Sequence, residues 1–304
     1  MSDLIPALTD AGTAFRRYEA IRPRLPQARY PARSIPLPSL DEVADHVDGF
    51  LLDAFGVLNV GETPIPGAVA RMASLRKRGK RLAVLTNAAS YTRAQLLAKY
   101  HRLGFDFIAD EVVASRDVAL MHLETIAPGA TWAALSATGD SFADSPARLV
   151  DAIATPSALD DADAILFLSS ARWTGALQSR LLQALERRPR PLVIANPDLV
   201  APREDGLTQE PGLFGHALLD RLDLPVHWFG KPFAAAFAEG IARTSLPPGR
   251  LAMVGDTLHT DVLGGAAAGC RSVLVTDHGL FAGRDTAPFI AASGIVPDFI
   301  VPTT

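Results

Sequence analysis

Four polar positions each follow directly on an apolar run. These are Asp53 after FLL, Thr86-Asn87 after LAVL, Lys231 after HWFG and Asp256 after AMVG. If the runs are parallel strands, their carboxyl ends gather although the residues lie up to about 200 positions apart, and ligands bind at such an edge. Two carboxylates close together repel, and a hard dication such as Mg²⁺ resolves this with carboxylates, waters and a substrate phosphate. Lys231 and the Thr86 hydroxyl are then free to hold phosphate oxygens. The chemistry this describes is phosphoryl transfer, in which positioning and charge stabilisation do most of the catalysis. Each position also has a local reading: Asp53 can cap the turn at Gly56, and a Thr-Asn pair after a strand often caps a helix. Asp261, five residues after Asp256, favours the N-terminus of the helix that follows it. Only four lysines occur in the chain, which makes Lys231 conspicuous.

The elements needed to position these residues are present. Gly49–Leu58, Arg81–Thr86, Val226–Phe229, Leu251–Val254 and Ser272–Thr276 read as strands. Pro66–Arg78, Thr92–Leu103, Phe233–Arg243 and Thr260–Ala268 read as the helices between them, and Gly79, Gly104 and Gly269 close three of these. Ser39-Leu-Asp-Glu42 reads as a capping box. Apolar strands alternating with helices predict a Rossmann-like α/β core, a parallel sheet with helices on both faces. Ala162–Leu168 and Pro191–Ala195 (strands) and Thr174–Glu186 (helix) form a second α/β unit, with ATPSALDDAD before them as a loop. The expected division is an irregular Pro- and Arg-rich arm over 1–38, a core of 39–125 and 226–304, and a unit inserted at 126–225. The two borders of the insert offer a hinge about which it can close as a lid.

The bulk properties agree with a small-molecule enzyme. The chain has 304 residues, 48% of them hydrophobic, with 29 basic and 33 acidic residues and a net charge of −4. That balance gives no sign of nucleic acid or an anionic membrane as partner. No apolar run nears the roughly 20 residues of a membrane helix, and the N-terminus lacks a signal-peptide pattern. The single cysteine, Cys270, reads as packing. The expectation is a cytoplasmic protein.

DAFGV, LTNAAS, FGKP and GDTLHTD, in this order and each after an apolar strand, resemble the four motifs of the haloacid dehalogenase superfamily. The triplet Asn196-Pro197-Asp198 and the insert between the second and third motifs resemble its class IIA branch, whose inserted cap is of the C2 type. The resemblance covers about residues 47–280 and implies a hydrolase acting on a small phosphorylated metabolite. It implies that Asp53 is the nucleophile and forms an aspartyl-phosphate, and that Thr86, Asn87 and Lys231 hold the phosphoryl group. It further implies that Asp53, Asp256 and the backbone carbonyl of Phe55 bind Mg²⁺, with Asp261 acting through water or holding Lys231. Asn196 and Asp198 are placed to orient motif residues or line the substrate entry, with a plain Asx-Pro turn as the other reading. Arg172 and Trp173, in the cap segment SSARWTG, are candidates to touch the leaving group, and a homodimer through the cap is a further implication. His259 is assigned only to loop packing.

One departure stands out. Phosphatases of this family carry a second Asp two residues after the nucleophile, to protonate the leaving oxygen and activate water, and here that position is Phe55. Losing such help costs about 10²–10⁴-fold, most for a basic leaving group. Three readings follow: a Mg²⁺-dependent phosphatase weak on poor leaving groups, a non-catalytic phospholigand-binding or regulatory protein, and a dehalogenase, since DAFG also resembles the family's DAYG.

Overall fold

The computed structural model describes residues 5–203 and 206–304. Seven strands form an all-parallel sheet in the order Ile35–Pro36, Phe299–Val301, Arg271–Val275, Leu251–Gly255, Gly49–Leu52, Arg81–Thr86, Val112–Ala114. The strand Gly49–Leu52 is wholly buried. Phe50 and Leu52 pack into one apolar cluster and Leu51 into the cluster on the opposite face, the period of two that a strand covered on both sides requires. From this strand the chain runs outward to Arg81–Thr86 on one side and later returns to Leu251–Gly255 on the other. Its carboxyl end is therefore the point where strand order reverses.

A second, smaller all-parallel sheet has the order Val226–Trp228, Leu192–Ile194, Ala164–Phe167, Thr131–Leu135, Arg148–Asp151. The helix Gly175–Arg187 belongs to this unit, and the stretch expected as a loop holds a short helix, Ala158–Asp161. Between Leu192–Ile194 and Val226–Trp228 the chain makes an antiparallel hairpin, Val200–Arg203 with Gly206–Gln209. Its last residue before the following helix, Glu210, lies against the large sheet's edge cleft.

Two expectations about organisation need correction. Val226–Trp228 pairs with Leu192–Ile194, so it belongs to the small sheet and not to the large one. Residues 1–38 are not an irregular arm, at least over the described residues from 5 onward. Asp10 caps a helix, Ala11–Ala20, by accepting from the Thr13 N–H at 2.8 Å, and Ile35–Pro36 is the edge strand of the large sheet. Proline and arginine content hid both elements, because packing overrides weak local propensity.

The N-terminal helix bridges the two sheets. Leu8, Ala11, Ala14, Tyr18 and Ile21 share one apolar cluster with Leu199 and Leu213 from the insert and Leu258, Leu263 and Phe281 from the core. The Leu199 N–H donates to the Tyr18 hydroxyl oxygen at 3.1 Å. The Tyr18 ring stacks on His259 at 4.8 Å, and His259 Nε2 meets Glu19 Oε1 at 2.5 Å. His259 thus packs, as expected, but its packing anchors this helix. Arg24 completes the strap, with an ion pair to Asp220 at 2.9 Å. Among the described residues no helix is long and apolar enough to cross a membrane. Cys270 is buried in the core, and burial pushes its thiol up to about 12.

Candidate active site

Asp53 follows its buried strand directly, and the Asp53 N–H still donates to the Val254 carbonyl at 2.9 Å, so the backbone is fixed up to the carboxylate. Asp256 follows the neighbouring strand and Asp261 the loop after it. Oxygens of Asp53, Asp256 and Asp261 all lie within 4.8 Å of one another. Lys231 Nζ reaches Asp53 Oδ1 at 2.6 Å and Asp261 Oδ1 at 2.8 Å, with both Lys231 and Asp261 buried. The lysine does not end a strand of the large sheet. It sits on the loop returning from the small one, and that loop is tied back by Asn87.

Asn87 is used on both sides. Its Oδ1 accepts from the Lys231 N–H at 2.7 Å, and its Nδ2 donates to the Lys231 carbonyl at 3.0 Å and to Asp198 Oδ1 at 2.8 Å. These contacts use both side-chain amide hydrogens, so the Asn87 side chain positions Lys231 and Asp198 and has no N–H of its own left for a phosphoryl oxygen. This corrects its expected role. Thr86 is buried beside it, and its Oγ accepts from the Ala88 N–H at 3.2 Å, which leaves the hydroxyl hydrogen available.

Electrostatics mark the same place. Burial raises Asp53 to about 6 against the opposing pull of Lys231, and burial together with Asp261 and Asp53 raises Asp256 to about 8. Burial alone would lower Lys231, yet Asp261, Asp53 and Asp198 more than offset this and hold it firmly charged. Burial also raises Asp198 well above the carboxylate range. One ammonium faces two of the clustered carboxylates. Asp256 receives only neutral donors, the Thr257 hydroxyl at 2.9 Å and the Leu280 N–H at 2.7 Å. The set is thus short of positive charge, and hard oxygen ligands in this number fit a dication. Two glycines allow the close approach: a Cβ on Gly279 would stand 1.8 Å from Asp256 Oδ2, and one on Gly56 2.8 Å from the same atom.

The other expected residues divide. Asn196 and Asp198 line the cleft with Asp53, Phe55, Thr86 and Asp256. They also form the Asx turn, the Asp198 N–H donating to Asn196 Oδ1 at 3.0 Å. Arg172 is paired with Asp151 at 2.8 Å inside the small unit and does not line the cleft, which corrects its candidacy as a leaving-group contact. Trp173 donates to Gln178 Oε1 at 2.8 Å and lines an adjoining cavity of 340 Å³ with Ser169, Ser170 and Phe214.

Three contributors were not anticipated. Arg203, on the hairpin of the insert, lines both cavities and lays its guanidinium carbon 4.5 Å from the centre of the Phe55 ring. Glu210 accepts from the Thr208 hydroxyl at 2.7 Å and from Asn196 Nδ2 at 3.1 Å, and stands 3.5 Å from Arg203. Lys99 Nζ lies 5.2 Å from the Phe55 ring centre. Phe55 is therefore held by two cations at cation–π range, as a wall of the cleft.

A parallel sheet whose switch point gathers buried carboxylates around one lysine, under an inserted α/β unit, defines a hydrolase of the haloacid dehalogenase type. Residues 50–143 match the haloacid dehalogenase-like hydrolase family, and residues 228–303 the related HAD-hydrolase-like family. The chain is 30% identical over 281 residues to glycerol-3-phosphate phosphatase of Gallus gallus, covering 85% of this chain and 90% of that protein. It resembles the structure of a possible sugar phosphatase from Cytophaga hutchinsonii, with TM-score 0.75 and 25% identity over 88% of this chain and 97% of the other. It also resembles a glycerol phosphate phosphatase from Mycobacterium tuberculosis solved with magnesium, with TM-score 0.62 and 28% identity over 78% of this chain and 70% of the other. The chain belongs to the class IIA branch of the haloacid dehalogenase superfamily and is a hydrolase of the phosphatase type.

Proposed function

We propose that the protein is a Mg²⁺-dependent phosphohydrolase of a small phosphorylated metabolite and that it works through an aspartyl-phosphate on Asp53. The observation that carries this reading is the Asp53–Lys231–Asp261 chain beside Asp256, a buried cluster with more carboxylates than cations. Asp53, Asp256 and the Phe55 main-chain carbonyl would hold the metal, which supplies positive charge to the phosphoryl oxygens. The solved relative's magnesium supports that choice of ion. Asp261, at 2.8 Å from Lys231, holds the lysine.

The residues then divide the work. Both the Ala54 N–H, at 2.7 Å, and Lys231 meet Asp53 Oδ1, which turns the carboxylate and leaves Oδ2 to attack phosphorus. Lys231 keeps Asp53 ionised in a site that burial would otherwise neutralise. The Thr86 hydroxyl donates to a phosphoryl oxygen. Water then attacks the aspartyl-phosphate, Asp53 leaves as carboxylate, and the water proton stays on the released phosphate. Phe55 offers no proton in either half, so the enzyme favours leaving groups that depart as anions.

Hydrolysis of p-nitrophenyl phosphate that requires Mg²⁺ and disappears in Asp53→Asn tests the reading; activity indifferent to EDTA would overturn it. Phe55 also favours a second reading, a phospholigand-binding protein without turnover. Tight binding of a phosphate ligand with no trapped aspartyl-phosphate would support that alternative.

A further inference from the structure

The phosphohydrolase reading leaves Phe55 unable to give the leaving group a proton, and the present inference rests on that reading. Phe55 occupies the position two residues after the nucleophile, and its ring carries the guanidinium of Arg203 at 4.5 Å. The space in front of the carboxylates is narrow, 50 Å³, and Ser90, Arg203 and Glu210 line both it and the 340 Å³ cavity at the insert. A phosphoryl group at Asp53 therefore has its leaving portion directed past Arg203 toward that second cavity, which Ser169, Ser170, Trp173 and Phe214 line. Arg203 is braced for this position. Its Nε donates to the Thr208 hydroxyl at 3.2 Å, and Glu210, fixed by Thr208 and Asn196, stands 3.5 Å from it.

We propose that Arg203 takes the place of the missing acid, stabilising the departing oxygen as an anion with a fixed positive charge, and that the substrates are phosphorylated phenols, enols or carboxylic acids. In this step Asp53 Oδ2 forms its bond to phosphorus as the bond from phosphorus to the leaving oxygen breaks. The bonding pair stays on the leaving oxygen, which departs as phenolate, enolate or carboxylate beside the guanidinium, and no proton moves. A guanidinium is always charged and presents several N–H donors in one plane, so it suits an oxyanion where Phe55 can give only a surface to stack on. The aromatic and hydroxyl lining of the second cavity suits a flat, polar leaving group.

The test is a series of aryl phosphates from p-nitrophenyl to phenyl phosphate, with glycerol phosphate as the alkyl control, on wild type, Arg203→Lys and Arg203→Met with Mg²⁺. The wild type is expected to hydrolyse the aryl esters and to be slow on the alkyl one. Arg203→Met should lower kcat/KM by about 10–100-fold, the worth of a charged hydrogen bond. The loss should grow from p-nitrophenyl to phenyl phosphate, because the more basic oxygen carries more charge. Arg203→Lys should recover part of the loss and of the slope. An equal loss on every aryl ester, or no loss, overturns the role of Arg203 and leaves the phosphatase standing. No turnover of any ester by the wild type overturns the phosphatase reading itself.

Discussion

Lys231 Nζ lies 2.6 Å from Asp53 Oδ1, although Asp53 ends a strand of the large sheet and Lys231 follows a strand of the small one. The ion pair therefore fixes the loop by which the chain returns from the small sheet to the large one. Asn87 strengthens it by holding the Lys231 peptide from the large-sheet side. The helix that follows this loop, Ala234–Thr244, packs with Leu51 and Leu85 of the large sheet, so Lys231 stays beside Asp53 if the insert moves, and it is the N-terminal helix that straps the two units together. The lid motion suggested by two borders in sequence is limited by that strap.

Replacing Lys231 with Met should cost stability as well as activity. Removing one partner of a buried ion pair typically costs about 3–5 kcal/mol, because the remaining carboxylates lose their compensation. Urea unfolding of Lys231→Met with and without Mg²⁺ measures this. The expected loss is larger without the metal, and an unchanged midpoint would contradict the assignment.

Metal binding should depend on pH with a definite sign. Burial holds Asp53 up to about 6 and Asp256 up to about 8. A carboxyl raised in this way stabilises the metal-free fold while protonated. That contribution is complete below the unfolded value near 4 and is lost as pH rises through about 6 and then about 8. A dication needs the ionised forms, so protons compete with it. The metal-free Tm should fall from about pH 5 to about pH 8, and Mg²⁺ should raise Tm more at the higher pH. Equal shifts at both would contradict the carboxylate site.

Phe55→Asp places a carboxyl two residues after Asp53, against the same cleft. On glycerol phosphate it should raise kcat/KM by about 10²-fold or more, with little gain in kcat/KM on p-nitrophenyl phosphate, whose leaving group needs no proton to depart. The ratio of the two gains is the measurement. Equal gains would remove the leaving-group argument.

Tyr18→Phe tests the strap. The Leu199 N–H would lose its buried acceptor, at a cost of about 1–3 kcal/mol. Hydrogen exchange at residues 199–203 should speed up while exchange in Gly49–Leu52 stays unchanged. Faster exchange throughout the chain would indicate a general loss of stability instead.

The legible parts of this molecule were those with a strong local pattern. Asp53, Asp256 and Thr86 stand at the ends of fully apolar strands, and in a parallel sheet that placement alone brings them together. Lys231 was legible as a residue but not in its delivery, since Val226–Trp228 fits either sheet and only pairing decides. Asn87 read as a phosphate contact because its partner, the Lys231 peptide, is 144 positions away. Arg203 sits in a short Pro-containing hairpin without motif or period, and its meaning comes from the Phe55 ring it covers. The N-terminal helix had left a signal. Asp10 and Thr13 make a capping box, and Ala11, Ala14, Tyr18 and Ile21 repeat at helical spacing. The surrounding prolines and arginines outweighed it.

The central claim is covalent catalysis by Asp53 with a slow, unassisted second half. Rapid mixing with p-nitrophenyl phosphate and Mg²⁺ tests it directly. The account predicts a burst of about one nitrophenolate per active site as aspartyl-phosphate accumulates, absent from Asp53→Asn and diminished in Phe55→Asp. Steady turnover without a burst, undiminished in Asp53→Asn, would contradict it.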